Sequence, residues 1–323
     1  MTAIHARFEL ITPAMAGGAD PDSVAELRAD AIAGQLRRWF WAREPLRGRR
    51  ESAELAEFLF GTAALDAAQG AFLLSIADTN IRAEMRNAAL GGTAISDLFG
   101  PLWKKRSCAL WSSTEAPFFE LELRLRPKAA KRSTLDPVNE MTAALMLWGL
   151  LGGIGAGQRR GFGSVQLTEL RGETGTYTYP LDTPQRYESI LAEALGAQAD
   201  SFPCVERSEF AAFAHTKSLA AEIFGAGPEY PTAIAALKAV SQAASMAGFS
   251  GRNTVNFFSD AEGHQRKPSP FHFHVARIGS KFHVIVSALP AERPYARQLY
   301  ERMAELTKGL KLRLLFPVLE QVE

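Results

Sequence analysis

The chain has 323 residues, 47% hydrophobic and 22% charged, which suits an ordinary globular protein with room for two domains. Its 36 Lys and Arg against 35 Asp and Glu leave a formal net charge of +1, so bulk charge announces no polyanion partner. Cys108 and Cys204 are the only cysteines, which excludes a disulfide framework and a C-x-x-C zinc site. No run approaches the roughly 20 apolar residues of a membrane span and no basic-then-apolar leader opens the chain, so a cytoplasmic protein without a membrane partner is expected.

In chain order, His5–Ile11 alternates as a strand, with Ala6, Phe8 and Leu10 on one side and His5, Arg7 and Glu9 on the other. The loop Thr12–Pro21 holds Pro13, Gly17, Gly18 and Pro21, and Asp22 or Ser23 caps a following helix whose apolar side carries Val24, Leu27, Ala31 and the Trp39–Phe40 end. Ala71–Ala77 reads as a buried strand. Phe119–Arg126 alternates, with Phe119, Leu121, Leu123 and Leu125 inward and Glu120, Glu122, Arg124 and Arg126 outward. Asp136, Pro137 and Glu140 form a helix start signal for Val138–Leu151, which is apolar on nearly every face and so expected to be buried. A glycine-rich loop ends that helix, and Phe162–Leu170 is the next strand.

The order through Leu170 is β-α-β-β-α-β, the ferredoxin-like arrangement. Gly172–Pro184 reads as a linker. Beyond it, helices are predicted at Gln185–Leu195, Ser208–Phe224 and Pro231–Met246. A hairpin at Phe271–Ala288 turns at Gly279–Ser280, and a helix at Pro294–Lys308 precedes a strand at Leu310–Phe316. The predicted class is α+β: two ferredoxin-like (RRM-like) domains, 1–171 and 185–323, the second divergent and helix-rich.

The segment Leu151–Val165, LGGIGAGQRRGFGSV, carries the main chemical signal, with six glycines around Gln158, Arg159 and Arg160. Glycines let a backbone press close to a ligand, and bare amides then hold phosphate oxygens beside fixed guanidinium charge. It is not a P-loop, because Gly152–Gly157 is followed by Gln158 rather than Lys. Nor is it a dinucleotide fingerprint, whose glycines follow a strand and open a helix. A polyanion lying along the loop, such as RNA, remains.

Three segments together resemble the RAMP superfamily, and within it the first subunit of the Cmr complex, a type III-B CRISPR effector. They are Phe8–Ala42 (FELITPAMAGGADPDSVAELRADAIAGQLRRWFWA), Glu57–Thr62 (EFLFGT) and the glycine loop. Arg266–Pro270, RKPSP, is similar to a short motif of the family's second domain. Arg43 departs from the pattern, being displaced by Ala42 from where an arginine commonly follows the aromatic run. The resemblance implies a non-catalytic RNA-binding subunit without a cofactor. It would act at the end distal to the guide's 5′ tag and contact crRNA, target RNA or both. Its protein partners would be other RAMP subunits and a polymerase-like large subunit.

Candidate RNA contacts are Gly17 and Gly18 before the first helix, Arg28 and Arg38 on that helix, and Gly153, Gly155, Gly157, Gln158, Arg159, Arg160 and Gly161 in the loop. Arg266 and Lys267 complete the set. Each has a plainer reading: a turn for Gly17 and Gly18, a solvated face for Arg28 and Arg38, a charged loop tip in water for Arg159 and Arg160. Neither Arg28 nor Arg38 has an acid three or four residues away on the helix. Trp39, Phe40 and Trp41 suit a core or subunit contact better than base stacking. Arg124, Arg126, Lys128, Lys131 and Arg132 form a basic run without an intervening acid, and Lys104, Lys105 and Arg106 another cluster. His272, His274 and His283 share one hairpin face, where a partly exposed polar face is the preferred reading and a zinc or manganese site the other. Two rival functions stand beside RNA binding: a metal-dependent RAMP endoribonuclease using Asp20 or these histidines, and a purely structural adaptor.

Overall fold

The first strand, Ala3–Leu10 (β1), is built on strict alternation: Ile4, Ala6, Phe8 and Leu10 are buried while His5, Arg7 and Glu9 are not. The computed structural model describes residues 3–17, 24–41, 49–62, 68–85, 89–90, 108–112, 115–127, 136–173, 175–196, 222–225, 227–247, 259–260, 267–268, 271–288 and 297–316. After β1 come α1 (Ala29–Phe40), α2 (Arg49–Phe60), β2 (Gly61–Thr62), β3 (Ala68–Gln69), β4 (Phe72–Thr79), β5 (Arg82–Met85) and β6 (Cys108–Trp111). β7 (Phe118–Leu125), α3 (Pro137–Leu151), β8 (Val165–Gly172), β9 (Gly175–Thr178) and α4 (Pro184–Leu195) follow. The remaining elements are β10 (Glu222–Gly225), α5 (Ala233–Met246), β11 (Ser259–Asp260), β12 (Lys267–Pro268), β13 (Phe271–Ile278), β14 (Lys281–Ala288), α6 (Arg297–Gly309) and β15 (Arg313–Phe316).

One antiparallel sheet has the order β4-β7-β1-β8-β9 and the other β13-β14-β10-β15. Both place the four strands of a β-α-β-β-α-β unit in the order second, third, first, fourth: β1, β4, β7, β8 in one and β10, β13, β14, β15 in the other. The chain is thus α+β with two ferredoxin-like units. In the first, α1 and α3 cover the face carrying Phe8, Phe119, Leu121 and Leu167. In the second, α5 and α6 cover Phe271, Phe273, Val275, Val284 and Val286.

α3 is capped as expected, the Asp136 side chain accepting from the Val138 amide at 2.9 Å with Pro137 in the first turn. It is buried nearly all round because it has neighbours on several sides: α1, α4, β8 and the β13–β14 hairpin. Tyr187 of α4 donates its hydroxyl to the Leu150 carbonyl, and Tyr187, Ile190, Leu191 and Leu195 join the core of the first unit. The hairpin is shared: its other face gives Ala276, Ile278 and Ile285 to that same first core.

Several local expectations differ from what forms. α1 begins at Ala29, not after Asp22 or Ser23, which lie outside the described residues. Ala25 bridges Gly17 and the Glu26 amide bonds the Ala16 carbonyl, so this stretch is held against the preceding loop instead of coiling. The buried side of α1 is Ile32, Leu36, Trp39 and Phe40, whereas Val24 and Ala31 are exposed. β4 is not a buried strand: it lies at a sheet edge, alternates, and leaves Leu73 51% exposed. The expected linker carries β9, which extends the first sheet by pairing with β8. Phe224, expected at a helix end, sits in β10; residues 208–221 of that predicted helix lie outside the described ones.

Gly149 shows how closely α3 lies on β8. A methyl there would come within 2.6 Å of Leu167 Cβ and 2.7 Å of its amide nitrogen. In a free helix Gly→Ala stabilises by about 1 kcal/mol, but here backbone must move to admit the methyl. Gly149→Ala is therefore expected to lower stability by about 1–3 kcal/mol, as overpacking does, read as a drop in the urea midpoint.

Candidate nucleic-acid interface

The glycine loop is not a free tip. On one side it is fastened to the segment after β1. The Gly163 amide donates to Pro13 O at 3.0 Å and the Ala156 amide to Met15 O at 2.8 Å. The buried Thr12 hydroxyl donates to Gly161 O at 2.7 Å and accepts from the Ser164 amide at 2.9 Å. Gly163 has φ 63°, and a methyl on it would lie 2.1 Å from Ile154 O, so this crossing requires glycine.

On the other side the loop meets β13, the edge strand of the second sheet. Alternate amides of that edge donate into the first unit: Phe273 N to Arg159 O at 3.0 Å, Val275 N to Ser164 Oγ at 3.0 Å and Arg277 N to Gln166 Oε1 at 2.9 Å. Arg160 and Phe273 form a parallel bridge, and the Arg277 guanidinium donates to Glu9. Edge amides left bare would cost stability or invite aggregation; here the loop satisfies them.

Residues 155–160 are the half-buried part of the loop. Its backbone bonds use the amides of Ile154, Ala156, Arg160, Gly161 and Gly163; those of Gly155, Gly157 and Gln158 are not among these donors. Gly153 is buried, with its carbonyl accepting from the Trp148 indole at 3.2 Å, so it shapes the loop from within. Gly161 is also buried, its carbonyl taken by Thr12 and Ser164. Arg159 and Arg160 are half-buried rather than solvated tips. Burial lowers the Arg160 pKa to about 10, which still leaves it cationic at neutral pH.

Arg38 comes to the same junction from α1. Its neighbour Trp39 is buried, packing edge-on to His272 with ring centroids 5.4 Å apart, and its indole nitrogen lies against Gly152, 2.5 Å from where a methyl there would stand. Trp39 is therefore core, as its residue type suggested. Arg28 is separate, an exposed residue at the N-cap position of α1. Gly17 is half-buried in its bridge to Ala25, and Gly18 and Arg266 lie outside the described residues. The Lys267 backbone pairs with Asp260 in β12.

The histidine face is neither partly exposed nor a metal site among the described residues. His272, His274 and His283 are 3%, 1% and 3% exposed, because this face of the hairpin packs against the first unit. His274 Nδ1 bonds the Gly152 carbonyl at 2.8 Å, pinning the start of the loop. Burial lowers the His274 pKa to about 4, against a smaller opposing effect of that bond. Burial, then the nearby charges of Arg38 and Arg159, hold His272 well below the usual imidazole range. His283 is also lowered by burial, with Glu229 opposing.

The outer face of the first sheet carries a lattice of ion pairs. Arg7 meets Glu120 at 2.7 Å, Arg171 meets Glu120 at 3.3 Å and Glu169 at 2.8 Å, and Arg124 meets Glu122 at 2.8 Å. The Arg7 guanidinium caps the Phe118 ring at 3.7 Å. The basic run beginning at Arg124 is thus not acid-free in space: the strand pleat puts Arg124 beside Glu122. Arg126 turns to Gly70 O at 3.1 Å. A face whose arginines are spent on carboxylates is a poor seat for a phosphate chain, and the Phe118 ring is already covered.

Two ferredoxin-like units clasped across a glycine-rich loop define a double ferredoxin-like protein with basic side chains at the junction. Residues 7–166 match the model of the RAMP superfamily. Its fold is similar to the crystal structure of Cmr1 from Pyrococcus furiosus in its apo form, at 15% identity and a TM-score of 0.62, over 98% of this chain and 99% of that one. It is also similar to a chain of the type III-B Cmr-beta complex bound to cognate target RNA, at 12% identity and a TM-score of 0.55, over 96% and 99% of the two chains. No curated protein matches the chain. No helix among the described residues is long and apolar enough to cross a membrane.

A pH dependence follows from His274. The imidazole of the unfolded chain takes a proton near its usual pKa of 6.5, and the buried one only near 4. Stability is therefore full above about pH 6.5 and lost as pH falls toward 4. Between pH 7 and 5 this group alone removes about 2 kcal/mol, and His274→Gln flattens that part of the urea-unfolding profile.

Proposed function

We propose that this chain is a non-catalytic RNA-binding subunit of a type III-B CRISPR effector complex working in the cytoplasm. The observation that carries this reading is the glycine loop itself: amides of Gly155, Gly157 and Gln158 that bond no backbone carbonyl among the described residues, beside Arg159 and Arg160. Backbone amides and guanidinium groups together recognise phosphate without reading bases. The RAMP match over residues 7–166 and the fold shared with Cmr1 and with a chain of an RNA-bound Cmr-beta complex support the same reading. In it, the loop holds the backbone of crRNA, target RNA or the duplex of both, at the end distal to the guide's 5′ tag. Other RAMP subunits and the polymerase-like large subunit flank the chain. Arg38, from α1, joins the loop at the same junction; Arg28, Gly17, Gly18, Arg266 and Lys267 are proposed as further contacts along a basic track.

Catalysis is not part of the proposal. Of the residues a ribonuclease reading would use, His272 and His274 are buried against the first unit and His274 is bonded to the backbone, while Asp20 lies outside the described residues. Labelled RNA incubated with the pure protein and manganese is expected to stay intact on a denaturing gel.

The direct test is Arg159→Ala with Arg160→Ala. RNA affinity is expected to fall across unrelated sequences. The slope of log affinity against log salt is expected to shrink by about 0.7 for each single-strand phosphate that the variant no longer neutralises. Fluorescence anisotropy with single-stranded RNA over a salt series measures both, and an unchanged slope contradicts the proposal.

A further inference from the structure

We infer that Arg38, Arg159 and His272 form a subsite for one phosphodiester group, set at the junction of α1, the glycine loop and β13. It rests on the RNA-binding reading and specifies where within that interface one phosphate is gripped.

Three elements bring the residues together. Trp39, next to Arg38, packs edge-on against His272 at 5.4 Å between ring centroids. Phe273, next to His272, donates its amide to Arg159 O at 3.0 Å. The charges of both arginines act on the His272 imidazole and help to keep it neutral.

His272 supplies the second observation. It is 3% exposed, and its Nε2 has no hydrogen-bond partner among the described residues. A buried polar nitrogen without a partner is unfavourable unless something completes it. A phosphodiester oxygen would accept from an imidazole N–H while the two guanidinium groups neutralise the charge. Arg38 and Arg159 are only half-buried, so the subsite meets solvent on their side.

Anisotropy of a single-stranded oligouridylate on the full chain tests this through a double-mutant cycle, with thermal unfolding recorded for each variant. Arg38→Ala and Arg159→Ala are each expected to weaken binding about tenfold, as removal of one charge-assisted hydrogen bond does. Together they are expected to cost less than the product of the two, with the salt slope down by about 0.7, the value of one phosphate. His272→Phe keeps a ring beside Trp39 and removes the orphan nitrogen. It is expected to weaken binding severalfold with an unchanged or raised unfolding temperature. Independent, multiplying effects with twice the slope change mean two separate phosphates and overturn the shared subsite while RNA binding stands. Unchanged affinity for His272→Phe overturns the histidine's part in it. If the unmodified chain fails to bind RNA, the underlying reading falls and the subsite with it.

Discussion

The edge of β13 lies against the glycine loop, and the three bonds made by its alternate amides organise the molecule. Phe273, Val275 and Arg277 donate to Arg159 O, Ser164 Oγ and Gln166 Oε1. Each such bond is worth only about 1 kcal/mol net, so their weight lies in register. They tell the loop where to run, hold one ferredoxin-like unit against the other, and close a strand edge. On its far side the loop is tied to Pro13 and Met15. A loop held from both sides presents its arginines in a fixed place, which is what a phosphate site needs.

The same clasp decides which surfaces are open. The second sheet turns one face to its own helices and gives Ala276, Ile278 and Ile285 of the other to the first unit. The outer face of the first sheet is occupied by ion pairs of Arg7, Arg124 and Arg171 with Glu120, Glu122 and Glu169. Among the described side chains, neither sheet therefore offers the bare aromatic platform by which RNA-recognition domains stack bases. The polar junction between the units, where Arg38, Arg159 and His272 converge, is the surface suited to a backbone. Under the proposed function such a site would grip any sequence, with base pairing supplying the specificity.

Local signals in the sequence were readable where the deciding contacts are local or periodic. Alternation placed β1 and β7, Asp136 and Pro137 placed the start of α3, and the strand-helix order implied the first ferredoxin-like unit, whereas the opening strand of the second, β10, fell where a helix was expected. What failed depends on partners far along the chain. Nothing near Ala29 says that Ala25 will bridge Gly17 and the Glu26 amide will bond the Ala16 carbonyl. The alternation FHFH looks like a half-exposed strand, yet both faces are buried because each packs on a different core. The loop's glycines marked a close approach, but the thing approached proved to be the Thr12–Met15 segment and β13 as well as any ligand. The nearness of Arg38 to His272 spans more than two hundred residues of chain, and no spacing rule reports it.

Ultraviolet crosslinking of RNA to the protein, with adducts mapped to residues, separates the junction from every other surface. The account predicts adducts at residues 155–160 and at the α1 end around Arg38, and none on the outer face of the first sheet. Adducts concentrated at Arg7, Arg124 and Arg171, with the glycine loop unmodified, would contradict it.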